Sequence, residues 1–269
     1  MSNTGFDTPL PRQLGVVNWR GFWTLYVKEV RRFLNVFTQT VMAPMVTTLL
    51  FLAIFTLALG GRARAPSNIP YDQFLAPGLI MMAMVQNAFA NTSSSILIAK
   101  VQGNIVDLLM PPLSPAELTL GLILGGITRG LVVGSAVLVG MWIFVPMQIP
   151  HPGFVILHAL MASSLLSLIG LLGGIWADRF DHIAAITNFV VTPLAFLSGT
   201  FYSIERLPDV WQTVAHFNPF FYMIDGFRFG FIDRADGSLL LGVLVLGSAN
   251  LILGFVCYRL LKSGWRLKS

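Results

Sequence analysis

Long apolar stretches without Asp, Glu, Lys or Arg alternate with short polar segments along most of the chain. A membrane span needs about 20 mostly apolar residues. Six stretches approach or exceed that length, at residues 40–60, 73–99, 118–147, 153–177, 183–201 and 238–258. One charged residue, Arg129, interrupts the third stretch. The pattern predicts an all-α membrane protein with six transmembrane helices.

The composition supports a membrane protein and excludes two large classes. Of the 269 residues, 55% are hydrophobic and only 11% are charged, and the mean hydropathy is +0.74. A soluble domain has about 25% charged residues, so this chain lacks the polar surface of a soluble enzyme or a soluble nucleic-acid-binding protein. We therefore interpret the net charge of +5 as a topology signal and expect a lipid bilayer, but no nucleic acid, as a partner.

The distribution of basic residues predicts the orientation, because Lys and Arg gather on the cytoplasmic side of spans. Six spans place both termini on one side, and cytoplasmic termini put more than twice as many basic residues inside as outside. The inner set is Arg12, Arg20, Lys28, Arg31, Arg32, Lys100, Arg179, Arg259, Lys262, Arg266 and Lys268, and the outer set is Arg62, Arg64, Arg206, Arg228 and Arg234. We predict a cytoplasmic tail at 1–17, an interfacial helix at 18–39, a six-span domain at 40–261 and a cytoplasmic tail at 262–269.

The segment before the first span has an amphipathic helical pattern. Trp19 and Trp23 belong to a predicted apolar face, and Lys28, Arg31 and Arg32 form a basic cluster after them. Aromatic and basic residues in this arrangement are typical of a helix that lies in the membrane interface. A polar extension of the first span is the alternative.

The inner segment at residues 100–117 mixes apolar and polar side chains. Pro111 and Pro112 end any helix there, which predicts a helix of about ten residues before them. Exposed apolar residues on this helix would need a partner, either lipid headgroups or another protein. Ser114 and Glu117 have the spacing of a capping box that opens the third span.

The outer segment at residues 201–230 is too charged to cross a membrane but is rich in aromatic residues. Asn218 and Pro219 divide it into two pieces, predicted at 209–217 and 220–229. The pieces form either a re-entrant helical hairpin, which is tolerated at membrane depth when buried in protein, or a helix on the outer surface.

Motifs for catalysis, nucleotide hydrolysis and metal binding are missing from the sequence. Without a G-x-x-x-x-G-K-[ST] phosphate loop, we do not expect this chain to hydrolyse ATP by itself. The four histidines lack metal-binding spacing, so we expect no catalytic residues, no metal and no bound cofactor. Asp178 and Asp181 flank Arg179 in a short inner turn, where a solvated or partner-docking role is favoured over acid–base chemistry.

Arg129 is the sharpest anomaly, because it lies roughly 16 Å into the third span at 1.5 Å per residue. A charge at that depth marks a buried pair or a water-filled path. The spans offer no acidic partner, and a structural clamp and a substrate contact both remain open.

Two ordered blocks, GNIVDLLMPPLSPAE at 103–117 and PLAFLSGTFYSIERLPDVWQTVAHFNPFFYMIDGFR at 193–228, resemble the membrane subunit of ABC-2-type transporters. This family usually has a proline soon after the Phe-Tyr pair that corresponds to Phe201 and Tyr202. Here Ser203 and Ile204 follow the pair instead. The resemblance implies a bacterial-type inner membrane protein that forms a dimer, expected to be a homodimer, and binds two copies of a separate ATPase subunit. ATP and Mg would be bound by that ATPase.

The resemblance also implies roles for particular residues. Those expected to couple to the ATPase are Gly103, Asn104, Ile105, Asp107, Leu108, Leu109, Pro111, Glu117 and Arg179. Those expected at an outer gate are Leu207, Pro208, Trp211, Asn218, Pro219, Asp225 and Arg228. Spans one, two and five would line the path between protomers.

The sequence therefore predicts the permease subunit of an ATP-driven exporter with an amphipathic, lipid-linked or drug-like cargo. An ion-coupled secondary transporter is the alternative, but it would show inverted repeats and a midplane ionisable site. A multi-span enzyme acting on lipids would need clustered His, Asp or Glu, and the sequence offers only the pair at 178 and 181.

Overall fold

Helices account for every long element of the protein in its computed structural model, which describes residues 15, 17–59 and 69–267. The described residues also contain two π-helical turns, Thr38–Met42 and Thr187–Val191, and a 3-10 turn, Ile204–Arg206. Most of the predicted tail at 1–17 lies outside the described residues, and so do the last two residues of the predicted tail at 262–269. The helices are α1 (Trp19–Leu34), α2 (Ala43–Leu59), α3 (Tyr71–Val101), α4 (Ile105–Leu109), α5 (Pro115–Trp142), α6 (Pro152–Trp176), α7 (Phe180–Ile186), α8 (Thr192–Leu197), α9 (Asp209–Phe217), α10 (Pro219–Ile232) and α11 (Leu239–Ser263).

Six helical stretches in the described residues are long and apolar enough to cross a membrane, which confirms the predicted number. The third ends at Trp142 rather than at 147, because Pro146 disfavours helical backbone in the residue before it. The Trp142 Nε1 group instead donates to the Met147 carbonyl oxygen at 3.0 Å. The stretches are Thr38–Ala58, Tyr71–Val101, Pro115–Trp142, Pro152–Trp176, Phe180–Leu197 and Leu239–Ser263.

The centre of the bundle is α3, which is buried along most of its length and packs against α5, α6 and α10. Small and hydroxyl residues allow this close packing. A Cβ atom added at Gly170 on α6 would collide with the Phe89 carbonyl oxygen of α3. The Thr92 hydroxyl, one turn further along α3, donates to the Ser167 carbonyl oxygen at 2.7 Å. The α3–α6 contact therefore depends on backbone atoms approaching each other directly.

The first helix packs lengthwise along the beginning of α5. Leu25 lies over Gly121, and Glu29, one turn later, lies over Gly125. Because successive turns of the two helices meet in the same order, α1 runs alongside α5 in the same direction.

The opposite face of α1 is open. Trp19 and Trp23 are 70% and 62% exposed, so the aromatic face expected of an interfacial helix is present. The helix ends at Leu34, earlier than the predicted boundary at 39, and a turn follows before the first span. The position of α1 relative to a bilayer stays a prediction.

The outer segment contains two helices, α9 and α10, and only the second is enclosed by the bundle. Gly230 of α10 lies against Val155, and Gly226 lies against His158 one turn further into α6. The helix therefore runs antiparallel to α6, beside the first turns of that candidate span. In contrast, α9 exposes most of its residues, including Phe217 at 85%.

Three of the candidate spans are poorly covered by the rest of the chain. In the most apolar windows of the first, fifth and sixth spans, only 17%, 11% and 11% of residues are buried. These surfaces must face lipid or another protein, because exposed apolar area of this extent is unfavourable in water.

We predict that Gly170→Ala lowers the melting temperature of the detergent-solubilised protein. The added methyl group meets the rigid backbone of α3, and overpacking of this kind costs about 1–3 kcal/mol. Gly153→Ala on the same helix is the matched control, since nothing lies within 4 Å of its added Cβ. Equal melting temperatures for the two variants would contradict the close α3–α6 approach.

Candidate functional site

Residues 100–117, which are predicted to face the cytoplasm and which we call the inner-face segment, include a tight turn at the end of α3. Gly103 has a φ of +74°, a left-handed conformation that glycine adopts without strain. The turn leads into α4, Ile105–Leu109, which has only five residues. The predicted helix of about ten residues is therefore wrong, because the turn at Gly103 separates α4 from α3 and Pro111 follows directly.

Burial divides the residues of α4 into an inner and an outer group. Ile105 and Leu108 are 6% and 5% exposed and belong to an apolar cluster with Leu25. The side chains of Ile105 and Leu108 are therefore not part of the exposed apolar surface, because they are buried in this cluster. Val106 and Met110, which are 52% and 76% exposed, present the apolar surface instead. Leu109 is half-buried, and the exposed members of the predicted coupling set are Gly103, Asn104, Asp107, Pro111 and Arg179.

The basic side chain of Lys100 holds the inner-face segment to the end of α6, and we call this contact the Lys100 latch. The Lys100 Nζ group donates to the carbonyl oxygens of Ile175, at 3.0 Å, and Ala177, and to the Asp178 carboxylate at 3.1 Å. Cations at a helix C-terminus satisfy its free carbonyl groups and its dipole. The hydrogen bond from Lys100 also holds the pKa of Asp178 below its usual value.

The latch borders a cavity of about 390 Å³ between α4, the turn after α6 and the C-terminal end of the chain. Arg266 reinforces this junction by donating to the Trp176 carbonyl oxygen at 2.8 Å. Arg179 is exposed beside the junction, so the inner turn and α4 form one continuous surface.

Glu117 makes bonds within the chain. Its carboxylate accepts the backbone N–H groups of Ser114 and Asn18, and the Ser114 hydroxyl accepts the Glu117 N–H in return. The predicted capping box is present. Glu117 is 8% exposed, so any part it has in coupling acts through the α1–α5 junction.

Arg129 has a partner that the sequence did not reveal. Its Nη2 group donates to the Asn87 Oδ1 atom of α3 at 3.0 Å. The Asn87 amide group in turn donates to the Ala83 carbonyl oxygen at 3.0 Å. The interaction is therefore a charge-assisted hydrogen bond that joins α5 to the middle of α3, which favours the structural clamp.

One turn further along α3, a second polar group joins α1 to the same face. Glu29 is completely buried, and its carboxylate accepts from Arg32 at 2.9 Å and from the Ser95 hydroxyl at 2.8 Å. Arg32 also donates to the Asn91 carbonyl oxygen at 2.7 Å and to the Ser94 hydroxyl at 3.0 Å. We call Glu29, Arg32, Asn91, Ser94 and Ser95 the α1–α3 network.

This network was not predicted from the sequence, although the sequence contains a signal for it. Glu29 lies four residues after Leu25 and four before Phe33, so an acidic residue occupies the apolar face of a helix. A buried carboxylate of that kind requires a cation and hydrogen-bond donors.

A cavity of about 290 Å³ lies between the first span and α3, next to Asn87. Gln39 and Gln86 contribute carboxamide groups to its lining, and Phe51 and Met82 contribute apolar surface. A cavity with both kinds of wall at the middle of a candidate span suits an amphipathic molecule.

The residues predicted for the outer gate fall into two groups. Asp225 and Arg228 are 4% and 3% exposed; Asp225 accepts the backbone N–H groups of Asp236 and Gly237, and Arg228 donates to the Gly199 carbonyl oxygen at 2.6 Å. Their bonds hold α10 to the chain around it. Leu207 and Pro219 are partly exposed, Pro208 and Trp211 are exposed, and Asn218 is buried.

Asn218 fixes the corner between α9 and α10. Its side-chain amide donates to the Leu194 carbonyl oxygen and to the Ser198 hydroxyl, both at 2.8 Å, and its Oδ1 atom caps α10 at Phe220. The corner is thereby attached to α8.

The arrangement of the helices defines a class of protein. The described residues contain six candidate spans, and they include no group of three or more His, Cys, Asp and Glu placed to hold a metal ion. This is the arrangement of a multi-span membrane protein. The chain belongs to the ABC-2 type transporter family, whose pattern matches residues 20–232.

Individual relatives agree with the family. The chain is 40% identical over 253 residues to the inner membrane transport permease YadH of Escherichia coli K12, covering 93% of this chain and 98% of that protein. It is 25% identical over 213 residues to nodulation protein J of Sinorhizobium fredii, covering 76% and 78% of the two chains. It is 26% identical over 163 residues to the probable multidrug ABC transporter permease YbhR of Escherichia coli, covering 59% and 43%.

We predict that Asn87→Leu destabilises the protein more than Arg129→Met does. The first change leaves a cation at membrane depth without its acceptor, and loss of a hydrogen bond to a charged group costs about 1.5–3 kcal/mol. The second removes the charge itself, and the double variant should recover part of the loss. Thermal melting in detergent measures all three; a larger loss for Arg129→Met would show that Arg129 acts through something other than Asn87.

We also predict that Glu29→Ala detaches α1 from α3. Removing one partner of a buried ion pair costs about 3 kcal/mol, so the melting temperature should fall and proteolysis near the N-terminus should accelerate. Glu29→Gln, which keeps an acceptor for Ser95, should lie between this variant and the wild type. Arg20→Ala, at an exposed position of the same helix, should change little; an effect equal to that of Glu29→Ala would argue against the network.

Proposed function

We propose that the chain is the permease subunit of an ATP-driven exporter of the inner membrane, powered by a separate ATPase subunit that docks on α4. The observation that carries this proposal is the division of α4 into two faces. Val106 and Met110 are exposed, whereas Ile105 and Leu108 are buried in an apolar cluster that also contains Leu25 of α1. A partner that binds the outer face therefore acts on the bundle through the inner face.

The geometry supports transmission of movement from α4 into the membrane. The Lys100 latch ties the segment to α6, and the apolar cluster ties it to α1 through Leu25. The network at Glu29 then joins α1 to α3. ATP binding can shift the conformation only if the ATPase binds the two states of this surface with different affinity.

A second copy of the chain is part of the proposal. The first and fifth candidate spans are both apolar and sparsely covered, which leaves two surfaces available for association. Two permeases with two ATPase subunits would form the complete transporter, with both termini in the cytoplasm as the basic residues predict.

The cargo proposed is amphipathic, lipid-linked or drug-like. The cavity beside Asn87 offers the carboxamides of Gln39 and Gln86 next to Phe51 and Met82. Transport is also what two relatives are named for, the transport permease YadH and the probable multidrug permease YbhR.

The hairpin of α9 and α10 is proposed as a re-entrant outer gate. The enclosure of α10 beside the outer turns of α6 supports this position, and the Asn218 corner attaches the hairpin to α8. A movement of the fifth span would thereby reach the outer end of the path.

We predict that the double change Val106→Glu and Met110→Glu abolishes binding of the ATPase subunit while leaving insertion intact. Both side chains are exposed, so we expect the fold to tolerate charged residues at these positions. An apolar docking surface, in contrast, would lose its complementarity to the partner when two charges are added. The measurements are co-purification of the ATPase subunit and ATP hydrolysis by the complex in lipid vesicles.

Val210→Glu is the matched control, because Val210 is 73% exposed on the outer segment, which a cytoplasmic ATPase does not reach. It should retain binding. Unchanged binding and unchanged hydrolysis in the α4 variant would contradict docking on this surface. Export by purified chain with no nucleotide-hydrolysing subunit present would favour an ion-coupled secondary transporter instead.

A further inference from the structure

The open face of α1 forms a basic groove where the helix approaches the first span. The groove has a volume of about 640 Å³ and is lined by Lys28, Arg31 and Arg32, with Trp23 at one end and Asn35 at the other. We call it the α1 groove. Arg32 belongs to both the α1 groove and the α1–α3 network, whereas Lys28 and Arg31 belong only to the groove.

The positive charge of the α1 groove is not neutralised within the part of the chain that the structure describes. Arg32 is paired with Glu29, but its Nε atom has no hydrogen-bond partner there. Lys28 and Arg31 are exposed and take part in none of the ion pairs among the described residues. Glu29 is the carboxylate nearest in sequence, and it is already occupied by Arg32 and Ser95.

Exposed apolar residues, which we call the apolar strip, follow the Asn35 end of the α1 groove along the chain. Leu34, Val36 and Phe37 are 43%, 45% and 44% exposed, and Val46 and Leu50 of the first span are each 58% exposed. Basic residues followed by apolar residues that enter a candidate span match a molecule with an anionic headgroup and an acyl chain.

We propose that the α1 groove binds an anionic phospholipid, with its phosphate between Lys28 and Arg31 and an acyl chain along the strip from Leu34 to Phe37. Basic residues at a membrane surface attract anionic lipids, and exposed Trp residues favour the headgroup level. An acidic protein surface would neutralise the cations, but it would leave the strip that enters the span uncovered. The lipid would contact the open face of α1, while the α1–α3 network holds the helix to the bundle.

The test is native mass spectrometry of the full chain, released from neutral detergent micelles that contain equal amounts of phosphatidylglycerol and phosphatidylcholine. We expect retained phosphatidylglycerol to exceed phosphatidylcholine about tenfold or more, since each basic residue near an anionic surface contributes roughly fivefold. The double variant Lys28→Gln and Arg31→Gln should lower the ratio to near one. Both residues lie outside the buried network, and an unchanged melting temperature would show that the fold is kept; Lys28→Gln alone should give an intermediate ratio.

The control is the double variant Arg259→Gln and Lys262→Gln at the end of α11, which removes two exposed basic residues near the same end of the bundle. It should keep the wild-type ratio, and an excess of inorganic phosphate should not displace the lipid. An equal loss of selectivity in the control would reduce the effect to general surface charge and overturn the proposal. Unchanged lipid selectivity in the Lys28→Gln and Arg31→Gln double variant would also overturn the proposal. If that variant lost co-purification of the ATPase subunit while its lipid retention stayed intact, the proposal would be overturned and the α1 groove assigned to a protein partner.

Discussion

Glu29 is a carboxylate enclosed by three helices, and the arrangement of the inner half of the molecule depends on its neutralisation. A buried charge without a partner costs far more than the few kcal/mol by which proteins are stable. Arg32 supplies the opposite charge, and Ser95 and the Asn91 carbonyl group complete the bonds of the pair. Because these groups come from α1 and α3, the pair is satisfied only when the two helices are in contact. The glycine at position 125 allows the contact by leaving room for the Glu29 side chain.

The same requirement connects the inner face to the middle of the bundle. Asn87 and Asn91 lie one turn apart on α3; the first accepts from Arg129 of α5 and the second from Arg32 of α1. One face of α3 therefore binds two cations from two other helices. A change in the position of α1 alters the bonds at Asn91 before it alters those at Asn87. A signal that starts at α4 and passes through Leu25 would reach the membrane by this route.

A feature of the fold or of the site could be predicted from the sequence when it depended on residues close together in the chain. Local signals worked well: the capping box at Ser114 and the breaks at Pro208 and Asn218 depend on neighbouring residues, and the six spans depend on composition over about 20 residues. The burial of Leu108 and the partner of Arg129 were not predictable, because their contacts join segments far apart in the chain. The shortening of α4 depended on the left-handed turn at Gly103, which a glycine permits but does not require.

The stability of the isolated chain and its function make different demands on the spans. The second, third and fourth candidate spans bury more of their surface than the others, and the polar bonds that fix them are internal. The first and fifth spans contribute apolar surface with few internal bonds, so their positions are set by what surrounds them. In lipid, helix association gains little from the hydrophobic effect, and these spans can exchange lipid contacts for protein contacts at low cost. A central scaffold with weakly held spans at its edge is therefore suited to a transporter, in which the path must open without the fold being lost.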